Sequence, residues 1–146
     1  MESAELSDIT EIEQLLARYA VGMTRNDIDA VLDVFTPDGT YSAFGDTYAL
    51  GDFPALVEAA PKGLFLTGTP QLELDGDTGH GYQPLCFVEQ TNHDMRIGWY
   101  TDTYRRTDAG WRLRTRAMTF LRRNGARDSG KPHDPRRPLP GDDVAG

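Results

Sequence analysis

Tyr19 is the residue of the N-terminal segment whose side chain could do chemistry. The apolar residues here recur with a period close to 3.6, which predicts a helix with one buried face: Ile9, Ile12, Leu15, Leu16, Tyr19 and Met23. A leucine would fill the same place in a plain core, whereas a buried phenol needs a hydrogen-bond partner. Tyr19 is therefore a candidate donor to an oxygen inside the fold, either of a ligand or of another side chain.

Two histidines, His80 and His93, are candidates for a proton carrier, because histidine ordinarily titrates near neutral pH. His93 lies in "EQTNHDM", which is typical of an exposed hairpin loop, whereas His80 lies in a predicted strand. His80 is the stronger candidate, and the glycines and proline of its strand leave open whether His80 or Gln83 faces inward. Neither histidine has the spacing of a metal motif, Cys86 stands alone, and "GDTGHG" lacks a following Lys-Ser/Thr, so we expect no metal and no nucleotide cofactor.

The last predicted strand, "WRLRTRAMTF", alternates arginine with other residues. Arg114 and Arg116 would share one face of the strand, and Leu113 and Thr115 the other. Such alternation is typical of a sheet with one face in water, or of a dimer interface. If Arg116 points inward instead, it would bind an anionic or phenolic oxygen of a substrate.

Two helices precede the strands. Ser7 is a potential N-cap for the first helix, and Asn26 or Asp27 for a second that extends to Phe35 and ends in the turn Pro37–Gly39. "TYSAFGDTYAL" predicts a strand or hairpin around Gly-Asp, and Asp52 precedes a short third helix. Two strands flank "LDGDTG" and two more follow. Helices first and then an antiparallel meander predict an α+β domain with helices on one face of the sheet.

Composition limits the function classes. The chain has 146 residues, 38% of them hydrophobic and 26% charged, and a net charge of −8, which would repel nucleic acid. It has no apolar run of membrane-spanning length, and its acidic beginning, "MESAELSDITEIEQ", does not resemble a signal peptide, so we expect a cytoplasmic protein without nucleic-acid or membrane partners. We expect one domain over residues 1–121 and an extended or mobile tail over residues 122–146.

The phrases "LLARYA", "FTPDGTY", "LDGDT" and "DTYRRTDAGWRL" occur in an order and spacing that resemble the SnoaL-like branch of the nuclear transport factor two-like superfamily. The resemblance covers residues 7 to about 121. It implies a cone, in which a bent sheet wraps around the long first helix and leaves an apolar cavity open at one end. Members include steroid isomerases, scytalone dehydratase, polyketide cyclases and non-catalytic binding domains.

The resemblance also implies roles for individual residues. The oxyanion-hole tyrosine of ketosteroid isomerase falls on Tyr19, and its second donor, a protonated aspartic acid, falls on Asp102. The carboxylate base of that enzyme falls on Ser42, so steroid isomerisation is not expected. Tyr41 matches a water-positioning tyrosine of scytalone dehydratase. Because the two enzymes thus place adjacent residues in the cavity, the resemblance leaves open whether Tyr41 or Ser42 faces it. If Asp102 points inward, alternation brings Tyr100 and Tyr104 to the same face.

The dehydratase's catalytic residues are missing. Its helix Tyr-Asp pair falls on Met23 and Thr24, and its histidines fall on Leu64 and Gln83. We therefore expect a cofactor-independent lyase or isomerase acting on a small apolar, aromatic or polyketide-like molecule, with Tyr19, Asp102, His80 and Tyr41 as catalytic residues. The residues expected to line the cavity are Met23, Phe44, Phe65, Gln83, Tyr100, Tyr104 and Arg116. The alternative is a non-catalytic domain for ligand binding or assembly; in either case the resemblance implies a homodimer.

Overall fold

The computed structural model describes residues 3–122, which form three helices and seven strands. The helices are α1 (Ser3–Arg25), α2 (Ile28–Leu32) and α3 (Phe53–Ala59); the strands are β1 (Phe35–Ala43), β2 (Asp46–Ala49), β3 (Gly63–Thr67), β4 (Gln71–Asp75), β5 (Thr78–Glu89), β6 (Met95–Thr107) and β7 (Gly110–Arg122). The predicted tail, apart from Arg122, lies outside the described residues.

One sheet carries all the strands in the order β2-β1-β7-β6-β5-β3, with β4 pairing with β5 beside β3. The β1–β7 pairing is parallel and the other pairings are antiparallel. The long helix α1 packs against β3 and β7 through its buried stripe, which includes Ile12, Leu15, Leu16 and Tyr19. This confirms the predicted α+β fold, in which a curved, unclosed sheet surrounds the helix.

The local predictions differ from the structure mainly at element boundaries. The first helix begins at Ser3, so Ser7 lies inside it and is not its cap. Asp27 does cap α2, because its carboxylate accepts a hydrogen bond of 3.2 Å from the Ala30 amide. Phe35 was wrongly assigned to this helix: it begins β1, and Pro37–Gly39 lies within that strand, where the register with β7 shifts. The single strand predicted before "LDGDTG" is two strands, β3 and β4.

A bulge in β7 separates the two arginines that the sequence placed on one face. Thr103 pairs with Thr115, but the next residue, Tyr104, pairs with Leu113, so Arg114 is the extra residue. The side-chain alternation reverses at such a bulge. As a result Arg116 points into the core, whereas Arg114 lies outside and binds Asp38 at 3.3 Å.

An ion pair ties the start of α1 to the β6–β7 hairpin. The Asp8 carboxylate accepts hydrogen bonds from both terminal nitrogens of Arg106, at 2.8 and 2.9 Å, and from the Trp111 indole at 3.1 Å. Arg106 also lies over the Trp111 ring. These hydrogen bonds, that of Arg106 first, lower the pKa of Asp8 below its ordinary value of 3.8. The hairpin and the helix are therefore held together at the end of the cone where α1 begins.

Acid should weaken this contact. Because the pKa of Asp8 is lowered in the folded chain, its contribution to stability is full above about pH 4 and is lost as the pH falls through the folded value. Asp8→Asn should therefore lower the urea midpoint at pH 6 and make the decline from pH 6 to pH 3 less steep. Asp108→Asn, in the exposed β6–β7 turn, is the matched control. Equal decline in the wild type and in Asp8→Asn would contradict the assignment.

The outer face of the sheet exposes large apolar side chains, including Leu64, Leu66, Tyr82, Met95 and Leu121. This is the face on which a homodimer is expected by resemblance, and the dimer stays a prediction. Among the described residues, no helix combines the length and the apolar character needed to cross a bilayer.

Candidate functional site

An apolar cavity of about 100 Å³ lies between α1, α3 and the inner face of the sheet. Six residues predicted to be functional line it: Tyr19, Met23, Tyr41, Phe44, Phe65 and Tyr100. The rest of the wall is formed by Ala43, Phe53, Leu56, Val57, Ala60, Pro61, Leu85, Phe87, Arg96 and Phe120. The cavity is therefore largely aromatic, with three phenols and one guanidinium as its polar groups.

Tyr41 faces the cavity and Ser42 does not, which settles the register left open by the sequence. The Tyr41 ring packs edge-on against Phe53, with centroids 5.3 Å apart. Ser42 lies on the opposite face of β1, where its hydroxyl is 2.9 Å from that of Thr47 on β2. The position that carries a carboxylate base in ketosteroid isomerase thus points away from the cavity.

The three phenols are held in fixed edge-to-face contacts. The rings of Tyr19 and Tyr100 meet with centroids 5.8 Å apart and an interplanar angle of 81°. Burial raises the pKa of Tyr19, Tyr41 and Tyr100 above the ordinary value, although the charge of Arg116 opposes this effect at each of them. All three therefore keep their protons at neutral pH, so they can donate hydrogen bonds but cannot act as bases.

Beneath the phenols lies a buried ion pair between Arg116 and Asp102, on the facing positions of β7 and β6. Both side chains are 0% exposed. Arg116 donates from Nε to one Asp102 oxygen at 2.8 Å and from Nη2 to the other at 3.0 Å. Arg116 Nη2 also donates to Gln83 at 2.8 Å, and the Tyr104 hydroxyl donates to Asp102 at 3.2 Å.

This pairing corrects the role predicted for Asp102. Arginine in a protein is always a donor, so both oxygens of the Asp102 carboxylate are acceptors and none is free to donate to a substrate oxyanion. Gln83 and Tyr104 likewise bind the ion pair and are not part of the cavity wall. The inward alternation of Tyr100, Asp102 and Tyr104 along β6 is confirmed, because all three are buried.

Arg116 also stacks on the phenols above it. Its guanidinium carbon lies 3.5 Å from the Tyr100 ring centroid and 4.4 Å from that of Tyr19. Burial by itself would lower the pKa of Arg116, but the Asp102 carboxylate more than compensates, so the guanidinium stays charged. Its third nitrogen, Nη1, is buried without a hydrogen-bond partner among the described residues. The ion pair thus places a positive charge directly under two rings of the cavity wall.

His80 does not reach the cavity, which contradicts its predicted role as the proton carrier there. It lies on the outer face of β5, and its Nε2 is 3.1 Å from a carboxylate oxygen of Glu73 on β4. Gln83 has the opposite parity on the same strand and is the residue that points inward. His93 lies in the exposed β5–β6 loop, as predicted, with a φ of 62°.

Of the positions that match the dehydratase residues, Met23 lines the cavity, whereas the other three have structural roles or face outward. Thr24 accepts a hydrogen bond of 3.0 Å from the Phe65 amide and so ties β3 to α1. Leu64 lies on the outer face and is 47% exposed. Within residues 3–122, no three side chains of the His, Cys, Asp or Glu type lie close enough together to hold a metal ion.

Arg96 is the charged residue among the cavity-wall residues that the sequence did not identify. It lies on β6, an even number of residues before Asp102, so alternation brings its side chain to the inner face. The same alternation that identified Tyr100 and Tyr104 would have found it if it had been followed to the beginning of the strand. The guanidinium lies over the Phe87 ring, 5.8 Å from its centroid.

Comparisons with known proteins agree with this architecture. An uncharacterised protein of Mycobacterium tuberculosis, Rv2910c, is 30% identical over 135 residues, which cover 80% of this chain and 87% of that protein. A solved NTF2-like protein with a cystatin-like fold from Novosphingobium aromaticivorans superimposes with a TM-score of 0.74 at 24% identity, covering 84% of this chain and 88% of that one.

A hexachlorocyclohexane dehydrochlorinase of the LinA type from Novosphingobium barchaimii superimposes with a TM-score of 0.72 at 15% identity, covering 81% of this chain and 89% of that one. At this identity the likeness shows a common fold. The sequence model of the SnoaL-like domain matches residues 4–117, which include the whole cavity wall except Phe120. The chain therefore belongs to the SnoaL-like domain family.

Proposed function

We propose that the chain is a cofactor-independent lyase or isomerase that acts on a small, mostly apolar molecule bound in the cavity. The observation that carries the proposal is the pair of phenols, Tyr19 and Tyr100, which line an apolar cavity and stack on the buried charge of Arg116. A substrate oxygen that gains negative charge would accept hydrogen bonds from these phenols where little water competes. Tyr41 is a further donor on the adjacent wall.

The cavity wall suits electrophilic catalysis, in which the protein stabilises negative charge that develops on the substrate. The ionisable groups of the cavity wall are Tyr19, Tyr41, Tyr100 and Arg96, and none of them accepts a proton at neutral pH. The substrate must therefore lose its acidic proton to water, while the leaving group departs with the bonding electrons and the phenols stabilise the negative charge that develops on oxygen. One such donor contributes about 10²–10³ in rate in enzymes that bind an oxyanion. Dehydration, elimination and retro-aldol cleavage all develop charge of this kind.

The volume of the cavity and the fold shared with known enzymes support a small, mostly apolar substrate. Pockets for drug-sized ligands have volumes of about 300–1,000 Å³, so a cavity of about 100 Å³ suits a molecule with a single ring. A dehydrochlorinase shares the fold, which supports elimination as a reaction that the cone can host. A one-ring molecule with a carbonyl or hydroxyl oxygen satisfies both the aromatic wall and the phenol donors.

A second candidate function is non-catalytic binding of a hydrophobic ligand. It is favoured by one observation: among the described residues, the cavity wall contains no proton-accepting group. The two functions share the binding step and differ in turnover. A ligand that binds in the cavity and is not chemically converted after prolonged incubation would support the second function.

Binding in the cavity can be tested by blocking it. Ala60 lines the cavity with an extended backbone, φ −80° and ψ 155°, which accommodates a larger side chain. We expect acetophenone to bind the wild-type protein and Ala60→Phe to weaken binding by about tenfold or more, because the added ring occupies the ligand's space. Ligand-observed NMR titration measures both affinities, and Ala17→Phe on the exposed face of α1 is the matched control. Equal binding to the wild type and Ala60→Phe would overturn the proposed site.

A further inference from the structure

We propose that Arg96 makes the cavity selective for anions, so that its ligand is a small aromatic carboxylate or a molecule with a similar delocalised negative charge. The ring of the ligand would lie among the aromatic side chains, and its charged group would bind the guanidinium. This inference rests on the proposed function, because it specifies the class of ligand that the same cavity takes.

Arg96 has no carboxylate partner among the described residues. Four other arginines on β6 and β7 pair within 4 Å: Arg105 and Arg114 with Asp38, Arg106 with Asp8 and Asp77, and Arg116 with Asp102. Arg112 has no ion pair among the described residues and donates to the Trp111 carbonyl instead. Within residues 3–122, Arg96 has no hydrogen bond and no ion pair, and its guanidinium contacts the Phe87 ring. The charge of Arg116 is paired with Asp102, so Arg96 is the charged residue of the cavity wall that has no ion pair among the described residues.

The surroundings of Arg96 make this lack of a partner costly. The side chain is half-buried, and burial lowers its pKa below the ordinary value. Of the charged groups facing it, Glu89 attracts the guanidinium but forms no ion pair with it, and the Glu89 carboxylate accepts a hydrogen bond from Thr91 at 3.1 Å. A half-buried guanidinium without an ion-pair partner loses part of its hydration without gaining an anion in return. Binding of an anion would restore those interactions.

The walls next to Arg96 suit a planar ring. Phe44 and Phe120 stack with centroids 4.9 Å apart and an interplanar angle of 11°, and Phe65 packs against Phe87 at 4.9 Å. A guanidinium binds a carboxylate through two parallel hydrogen bonds, which also orients the attached ring. The chain carries a net charge of −8, which disfavours anions overall, so a cavity that binds an anion needs a local positive group such as Arg96.

Benzoate and benzamide test the inference, because they have the same ring and nearly the same shape but differ in charge. At pH 7 and low salt we expect benzoate to bind the wild-type protein about tenfold or more tightly than benzamide, measured by NMR titration. Arg96→Gln should remove that preference by weakening benzoate alone, and Arg96→Lys should retain part of it, since it keeps the charge but not the planar donor pair. Arg25→Gln, at the exposed end of α1, controls for the loss of one positive charge.

The outcomes separate the two proposals. Equal affinity for benzoate and benzamide, or a preference that survives in Arg96→Gln, overturns the role of Arg96 while the cavity remains a binding site. If acetophenone and benzamide bind but benzoate does not, the role of Arg96 is likewise overturned while the cavity remains a binding site. If none of the three compounds binds the wild-type protein, both the anion selectivity and the proposed function fail. The wild-type comparison decides the question even if Arg96→Gln does not fold.

Discussion

Replacing Arg116 with leucine should lower the free energy of unfolding by about 3–5 kcal/mol, the usual result of removing one partner from a buried ion pair. Asp102 would remain fully buried and keep only the hydrogen bond from Tyr104. The Gln83 side chain would also lose the donor to its oxygen. Urea unfolding followed by circular dichroism measures the loss.

The double variant Arg116→Leu, Asp102→Leu is the informative control. Removing both charges leaves no unpaired buried ion, and such replacements are often close to neutral. The double variant should therefore recover most of the stability that the single variant loses. If the single variant is as stable as the wild type, or if the double variant is no better than the single, the ion pair does not have the structural role assigned to it.

Removing the Tyr19 hydroxyl should slow turnover about tenfold or more, which corresponds to about 1.4 kcal/mol of transition-state stabilisation. Tyr19→Phe keeps the ring and its contacts with Tyr100 and Arg116, so the fold should be unaffected. The values of kcat/KM for a substrate identified from one-ring oxygenated compounds give the measurement. Tyr82→Phe, an exposed phenol on the outer face of the sheet, is the matched control.

A wild-type rate in Tyr19→Phe would remove Tyr19 from the catalytic machinery and favour the non-catalytic function.

For Asp102→Asn, the structure predicts a different result from the one that the family resemblance implies. Because Asp102 holds Arg116 and donates nothing to the cavity, its replacement should act first on stability, and on turnover only through the position of Arg116. A variant of Asp102 that folds as stably as the wild type but turns over slowly would restore its predicted role as a donor.

The fold could be predicted because its local signals agree with each other. The helical period of α1 identified Tyr19 as buried, and the strict alternation along β6 identified the inward positions of Tyr100 and Tyr104. Turn residues marked the hairpins. These signals depend on neighbours in sequence, which is why the element order is confirmed while individual boundaries, such as that at Phe35, are wrong.

The site was harder to predict because it depends on contacts between distant strands. Asp102 and Arg116 pair only because β6 and β7 are in one particular register, and the bulge at Arg114 determines which arginine faces inward. The sequence left open whether His80 or Gln83 faces the cavity, because the glycines and the proline of β5 allow a bulge that would exchange the two faces. Arg96 was missed for a simpler reason, since the alternation that reveals it was not followed to the start of β6.

The central claim is that a small aromatic molecule binds in the cone with an oxygen against the phenols. A crystal structure of the protein soaked with its tightest one-ring ligand tests this most directly. We expect the ring between Phe53 and Phe65, and an oxygen within hydrogen-bond distance of Tyr19, Tyr41 or Tyr100. A ligand bound only on the outer face of the sheet, or a cavity filled by its own side chains, would contradict the claim.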